Sequence, residues 1–421
     1  MKVLHINQSD IGGGAGIAAF RIHEGLLARG IDSRLLVGKA LTGSSRVAVV
    51  PRWRFVETQL FRITYLLGLN YVYHLTTFRL PKHPLFREAD VVHFHNLHTG
   101  YFNYLALPSL TKRKPSVFTL HDMWSFTGHC SYSYDCDRWR FGCGKCPYPQ
   151  QYPKILIDNS RLEWKLKKFA YRHSQMAIVT ASRWLTEQAR QSILNRFPIQ
   201  YIPHGIDPEV YQPLDVEKCR SLLGIPRDKK VLMFGAVNLQ DRRKGGDLLI
   251  QALKDLPASL KAEVLLLTLG YGGEAISEAT DVAAWHLGYV TSDRMKAIAY
   301  SAANLFIFPS RADIFGLMLL ESMACGTPIV SFNVGGIPDL VRHRLTGYLA
   351  EPEDDKDFSA GIMRLLEDEA LRNRMSLACR KVVLEEFRLE LQVKRYLDLY
   401  HHLLGVTGKC PASPAGLRGT L

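Results

Sequence analysis

The sequence predicts an α/β protein made of two doubly wound, parallel-sheet domains that face each other across a cleft, and three observations carry that expectation. The chain has 421 residues, about two to three times the length of a typical single domain. Apolar, β-rich runs alternate with helical stretches, the pattern of strand–helix–strand units whose strands lie parallel. The alternation then restarts after Pro203-His204-Gly205-Ile206-Asp207-Pro208, whose prolines and glycine punctuate the chain as a linker. A composition of 47% hydrophobic and 22% charged residues excludes extensive disorder and leaves ample material for two cores.

In the first half, strands are expected at Lys2 to Asn7, Ser33 to Val37, Val91 to His95, Val117 to His121 and Ala177 to Ala181. Helices fill the intervals, for instance Ala15 to Arg29 and Ser182 to Ser192. The second half opens with a strand at Lys230 to Gly235 and continues through Val264 to Leu269, Leu305 to Pro309 and Pro328 to Phe332. Its helices are expected at Gly246 to Leu256, Ser292 to Ala302 and Gly316 to Ala324. The domains are therefore placed at 1–205 and 206–385, followed at 386–421 by a long helix to Leu404 and a Gly/Pro-rich, disordered tail. No tandem repeat is visible.

The net charge of +13 is uneven, because residues 1–200 hold 27 Lys and Arg against 12 Asp and Glu. A basic first half calls for an anionic partner: phospholipid headgroups, a phosphate-bearing acceptor or nucleic acid. No nucleic-acid-binding motif accompanies the charge, so that partner is not expected. A plain solvated basic surface is the alternative. Two segments favour a lipid surface, Arg52 to Arg79 and Arg161 to Phe169, since both interleave aromatic and cationic residues as interfacial helices do. Each fits equally well a surface helix that packs its apolar face on the domain core. The chain opens Met1-Lys2-Val3-Leu4-His5-Ile6-Asn7, with neither a secretory leader nor a run near the roughly 20 apolar residues that span a bilayer. A cytoplasmic protein, peripheral at the inner membrane face, is the expectation.

The chemistry concentrates in a few stretches. Pro309-Ser310-Arg311-Ala312-Asp313-Ile314-Phe315-Gly316-Leu317 runs straight into Met318-Leu319-Leu320-Glu321, setting Asp313 and Glu321 across a loop and the first turns of a helix. At that spacing both carboxylates can point into one cleft and grip a polyhydroxylated ligand. Ile11-Gly12-Gly13-Gly14-Ala15-Gly16 follows the first strand and opens a helix, where bare backbone N–H groups approach a phosphate or sugar closely. A dinucleotide site would want an acid ending the second strand, which instead ends Leu36-Val37-Gly38-Lys39. His121 sits at the carboxyl edge of the first sheet, where ligands of open α/β folds collect. His93 and His95 lie on one strand face with no third metal ligand in view, and are read as cleft lining. Cys130, Cys136, Cys143 and Cys146 cluster in an insert at 129–147 with one C-x2-C pair, which suits a tetrahedral structural zinc. Fortuitous thiols, or disulfides in an oxidising compartment, are the alternatives.

The segment from Pro309 to Glu321 resembles the signature of the nucleotide-sugar-dependent glycosyltransferases of family 4. The resemblance covers most of the chain and is strongest from Lys230 to Leu349. It implies two Rossmann-like domains of the GT-B type, with the last helix crossing back to the first domain. It implies a retaining transfer of a hexosyl group from a nucleoside diphosphate sugar to a saccharide or lipid-linked acceptor, in surface polysaccharide synthesis and without a catalytic metal. By the same resemblance Gly13, Gly14 and Gly16 face donor phosphates and acceptor, Lys244 neutralises the diphosphate, and Glu321 holds the ribose. Asp313 and His121 hold the sugar, with Asp122 supporting His121, while Phe315, Gly316 and Leu317 line the donor site. The chain departs from the family at Asn238, where an arginine is usual, so that Arg242 or Arg243 substitutes. It departs again at Asp313, where glutamate is usual, and at Ile314 in place of glycine. A nucleotide-sugar 2-epimerase of the same architecture and a non-catalytic carbohydrate-binding protein are the rival readings.

Overall fold

Each half of the chain builds one fully parallel sheet. The structure is a computed structural model and describes residues 1–406. The expected disordered tail, with Cys410, lies outside the described residues. The first sheet has seven strands: β1 Lys2–Ser9, β2 Asp32–Lys39, β3 Val47–Val49, β4 Val91–Phe94, β5 Ser116–Leu120, β6 Ala177–Thr180 and β7 Ile199–Tyr201. They lie in the order β3-β2-β1-β4-β5-β6-β7. The second has six: β8 Lys230–Asn238, β9 Val264–Tyr271, β10 Ala283–His286, β11 Leu305–Phe308, β12 Ile329–Phe332 and β13 Gly347–Ala350, in the order β10-β9-β8-β11-β12-β13.

Helices cover both faces of such sheets, so central strands are buried on both sides and read as unbroken apolar runs. Every residue of β4, β5, β6, β11 and β12 is buried accordingly. In the second unit Leu232, Phe234, Leu266, Ile307 and Phe332 pack with Leu249 and Leu253 of the helix Gly246–Lys254 and Phe358 of the helix Asp355–Glu367. The strands not foreseen are β3, β7, β10 and β13, the four sheet edges. Each has only three or four residues, and most of these are partly or fully exposed. An edge strand lacks a neighbour on one flank and needs no apolar run, so nothing in its composition announces it.

The strand order reverses between β1 and β4 in the first sheet and between β8 and β11 in the second. At such a switch point the loops leaving adjacent strands diverge to opposite faces and open a crevice at the carboxyl edge. Glycines let the two loops of the second unit close on each other. Gly245, at φ +74°, follows the loop after β8, and a Cβ there would stand 1.8 Å from the carbonyl oxygen of Pro309 after β11.

The chain divides into two units, Met1–Pro203 joined by the chain from Gln392, and His204–Leu391. The return to the first unit falls inside the helix Leu389–Leu403 rather than ahead of it at 386, because Ile206 pairs with Arg388 in a parallel bridge. The Ile206 N–H donates to Phe387 and the Leu389 N–H to Ile206, both at 2.9 Å, which keeps residues 386–391 with the second unit.

The two aromatic–cationic segments part ways. The helix Ser160–Arg172 packs Trp164, Ala170 and Tyr171 into the first unit. The helix Arg54–Leu66 buries only Glu57, which Arg52 and Thr76 hold, and leaves Phe55, Phe61, Ile63 and Leu66 exposed. Among the described residues no helix is long and apolar enough to cross a membrane.

Because Gly245 combines a left-handed φ with contact against a backbone oxygen, Gly245→Ala should cost on the order of 1–3 kcal/mol and displace Lys244. Urea unfolding checks this; wild-type stability in the variant would show that the loop yields freely.

Candidate active site

At the second switch point the loops leaving β8 and β11 bring three charged side chains together. Lys244 ends the single turn Arg242–Lys244, and its Nζ donates to Asp313 Oδ2 at 2.8 Å. Arg243 Nη1 lies 3.5 Å from the same oxygen and donates to the Ala312 carbonyl at 3.1 Å. Asp313 is fixed in turn. Its Oδ1 accepts the Phe315 N–H at 3.2 Å, and its backbone carbonyl accepts the Gly336 N–H at 3.0 Å. A Cβ on Gly335 would lie 2.2 Å from that carbonyl, so glycine is required beside it. All three side chains are largely buried.

Burial alone would raise the Asp313 carboxyl, but Lys244 and Arg243 outweigh it and hold the group below the usual carboxylate range. Burial, reinforced by Arg243, holds the Lys244 ammonium below the usual lysine range, and Asp313 opposes this. Two cations therefore stand against one carboxylate in a sheltered place. Such a group attracts a polyanion.

The other residues expected on the donor side fall into distinct settings. Arg243, not Arg242, joins the cluster. Arg242 is exposed, and its carbonyl accepts from Arg311 Nη1 at 2.7 Å. Arg311 also grips both oxygens of Asp247 at 2.7 Å and Glu353 at 2.8 Å, a clamp on this loop that the sequence reading missed. Asn238 is exposed at the end of β8, its Oδ1 accepting the Gln240 N–H at 3.0 Å. Phe315 is buried with its ring edge-on to His204, a packing role. Gly316, at φ +84°, turns the chain into the helix Leu317–Ala324, where Leu317 is half-buried. Glu321 is buried and accepts the Tyr300 hydroxyl at 3.2 Å. Asp313 and Glu321 are thus tied to different partners.

In the first unit the glycine loop leaves β1 and the helix Gly13–Leu27 starts at once. The Gly12 N–H donates to Ser9 Oγ at 2.6 Å, Gly13 takes φ +68°, Gly14 is exposed, and a Cβ on Gly16 would meet the Ile11 backbone at 3.0 Å. The loop thereby presents a helix N-terminus, where free backbone N–H groups favour an anion.

His121 stands just past β5, bonded to a second histidine. The Asp122 carboxylate accepts from His98 Nε2 at 2.7 Å and from the Trp124 N–H at 2.9 Å, and its charge acts on His121. His121 Nε2 bonds His95 Nδ1 at 3.1 Å, and His95 Nε2 bonds His5 Nδ1 at 2.9 Å. In such a chain the tautomer of each imidazole sets that of the next. Burial pushes His121 down to about 4, so it is neutral at physiological pH.

His93 and His95 are completely buried, and the missing third histidine is His5 on adjacent β1. Among the described residues these three form the one group whose ligand atoms all lie within 4.8 Å of one another. The group satisfies itself largely without an ion, since Tyr400 and Thr119 each bond a nitrogen of His93 at 2.7 Å and His5 bonds His95. Pairing between His5 and His95, 90 residues apart in the chain, left no linear signal for this. The four clustered cysteines lie between β5 and the helix Ser160–Arg172.

Two parallel α/β units with a cationic cluster at the second switch point define the class, and comparison with known proteins bears it out. One family model, Glycosyltransferase Family 4, matches residues 12–210, and a second, Glycosyl transferases group 1, matches residues 216–382. The chain is 30% identical over 235 residues to N-acetyl-alpha-D-glucosaminyl L-malate synthase of Bacillus anthracis, covering 55% of this chain and 61% of that one. It is 26% identical over 356 residues to WcaC of Escherichia coli K12, a glycosyl transferase assigned to colanic acid biosynthesis, covering 79% and 83%. Against the first of these the match spans less than two thirds of the relative's length. Sucrose-phosphate synthase from Thermosynechococcus elongatus shares the fold over 97% of this chain and 100% of its own, with a TM-score of 0.71 at 18% identity. Anabaena HepE, solved with UDP and glucose, does so over 95% and 99%, with a TM-score of 0.67 at 18% identity. The chain belongs to glycosyltransferase family 4 and has the GT-B fold.

The buried histidines impose a pH dependence. Burial lowers His5, His93, His23 and His121, the last two to about 4, whereas the unfolded chain takes up those protons near 6.5. The unfolded state then binds more protons, so unfolding free energy should be full above about pH 6.5 and fall steadily toward pH 4. Urea midpoints at pH 7.5, 6 and 5 measure it; a flat profile would contradict the assignment.

Proposed function

We propose that the protein transfers a sugar from a nucleoside diphosphate sugar to an acceptor hydroxyl, with retention at the anomeric carbon, on a saccharide or lipid-linked acceptor of surface polysaccharide synthesis. One observation carries this reading above the others: Lys244 and Arg243 converge on Asp313 in a largely buried pocket of charge at a switch point. A departing nucleoside diphosphate gains negative charge in the transition state, and cations already in place lower that barrier without reorganising. In this reading they supply the charge that a metal ion supplies elsewhere. Asp313 offsets part of the lowering that burial and Arg243 impose on Lys244, and orients it before the donor arrives. Support for the donor class comes from HepE, a fold neighbour solved with UDP and glucose. Support for a polysaccharide acceptor comes from WcaC.

Neutral His121 suits a contact to a sugar hydroxyl, because it can donate or accept without bringing a charge to the reacting centre. Glu321, buried in the middle of the helix Leu317–Ala324, suits the ribose hydroxyls. The exposed apolar side chains of the helix Arg54–Leu66, with Arg52, Arg54, Arg62 and Arg79 around them, suit an anionic lipid surface carrying the acceptor.

Lys244→Ala should lower the turnover of nucleotide sugar by about 100- to 1,000-fold while the melting temperature is followed to separate chemistry from folding. Release of nucleoside diphosphate should require acceptor, and an isomerised sugar formed from donor alone would instead establish an epimerase. Wild-type turnover in Lys244→Ala would overturn the reading. On the lipid side, changing Phe55, Ile63 and Leu66 together to Ser should weaken binding to phosphatidylglycerol vesicles roughly tenfold or more, with little binding to neutral vesicles in either protein. Equal flotation of both proteins would remove the membrane from the proposal.

A further inference from the structure

The stretch between β5 and the helix Ser160–Arg172, residues 121–159, has one three-residue turn, Arg138–Arg140, as its sole regular element. It nevertheless buries Met123, Trp124, Phe126, Trp139 and Ile155. A loop this long inside an ordered unit is uncommon unless something other than secondary structure braces it. Four thiols lie in it, at Cys130, Cys136, Cys143 and Cys146, all of them free. They are near enough to act on one another electrostatically. Between the last two, Cys143, Gly144 and Lys145 take φ values of +50°, +90° and +49°, a conformation that persists only where the surroundings dictate it.

Their polar neighbours are arranged as a metal's would be. The Gly128 N–H donates to Cys143 Sγ at 3.1 Å. His129 Nδ1 donates to the Pro153 carbonyl at 2.8 Å, which leaves the lone pair of the neutral ring on Nε2, aimed at Cys146 Sγ 3.2 Å away. A carbonyl on one ring nitrogen and a soft donor beside the other is the outer-shell device that orients a metal-ligating imidazole. A bare lone pair facing a sulfur is otherwise satisfied only by a thiol proton.

We propose that this segment holds one structural zinc ion, bound tetrahedrally by donors drawn from the four cysteine sulfurs and His129 Nε2. Each cysteine that binds gives its proton to water, and the ion takes the place of the missing secondary structure as the brace of the segment. No three of the donor atoms lie within 4.8 Å of one another, so binding turns at least one sulfur inward. The site is closed and plays no part in the transfer step, so its test is independent of the proposed activity.

The full chain, purified under reducing conditions from zinc-supplemented cells, should carry one zinc per molecule. X-ray absorption should show only sulfur and nitrogen around it, with three or four sulfurs. Cys143→Ser with Cys146→Ser should abolish the zinc, whereas Cys325→Ser should retain it. Should the double variant fail to fold, the wild-type protein provides the second measurement: a chelator should expose residues 121–159 to protease and added zinc should restore protection. A wild-type chain free of zinc whose four thiols all react with a thiol reagent, or are paired as disulfides, would overturn the proposal.

Discussion

The ion cluster of Lys244, Arg243 and Asp313 is the constraint around which the second unit is organised. Two cations taken out of water are costly unless a carboxylate meets them, and a carboxylate so buried is costly unless cations meet it. The three must come from loops leaving adjacent strands on either side of a topological reversal, since only there do two loops start side by side and diverge. β8 and β11 provide this. Gly245 and Gly335 remove the side chains that would hold the loops apart, and Arg311 locks the far side of the first loop through Asp247. Sheet order, glycine placement and charge pairing thus converge on one small volume.

The first unit solves a different problem with neutral groups. Burial holds His5, His93 and His121 below the usual histidine range, and a bonded chain runs from His121 through His95 to His5. The contrast suits the division of labour proposed above. A leaving diphosphate needs fixed positive charge, whereas a sugar needs directional hydrogen bonds that do not compete with that charge.

The fold was legible because central parallel strands are buried on both faces and so spell themselves as apolar runs, from Val91 to His95 through Pro328 to Phe332. The four strands that escaped notice are the edges, where no such composition is demanded. The charged motif was legible for a related reason: Lys244, Asp313 and Glu321 sit in short contiguous stretches whose spacing the helix and loop dictate. What those residues touch was not. That Arg243 rather than Arg242 turns inward depends on the register of a single turn, and that Asp313 faces Lys244 while Glu321 meets Tyr300 depends on contacts across the sheet. His5 was invisible as a partner of His95 because β1 and β4 are neighbours in space alone. The amphipathic helices show the limit most plainly, since two segments of the same character ended with one packed and the other exposed.

The bridge between Ile206 and Arg388 gives the architecture a modular character. The polypeptide leaves the first unit, builds the whole second sheet, and comes back alongside its own point of departure. The second half is therefore a contiguous cassette whose two ends are stitched together, inserted into a host that closes with the segment after it. A cassette of this form can be exchanged between relatives, or diversify on its own, without disturbing the register of the host sheet.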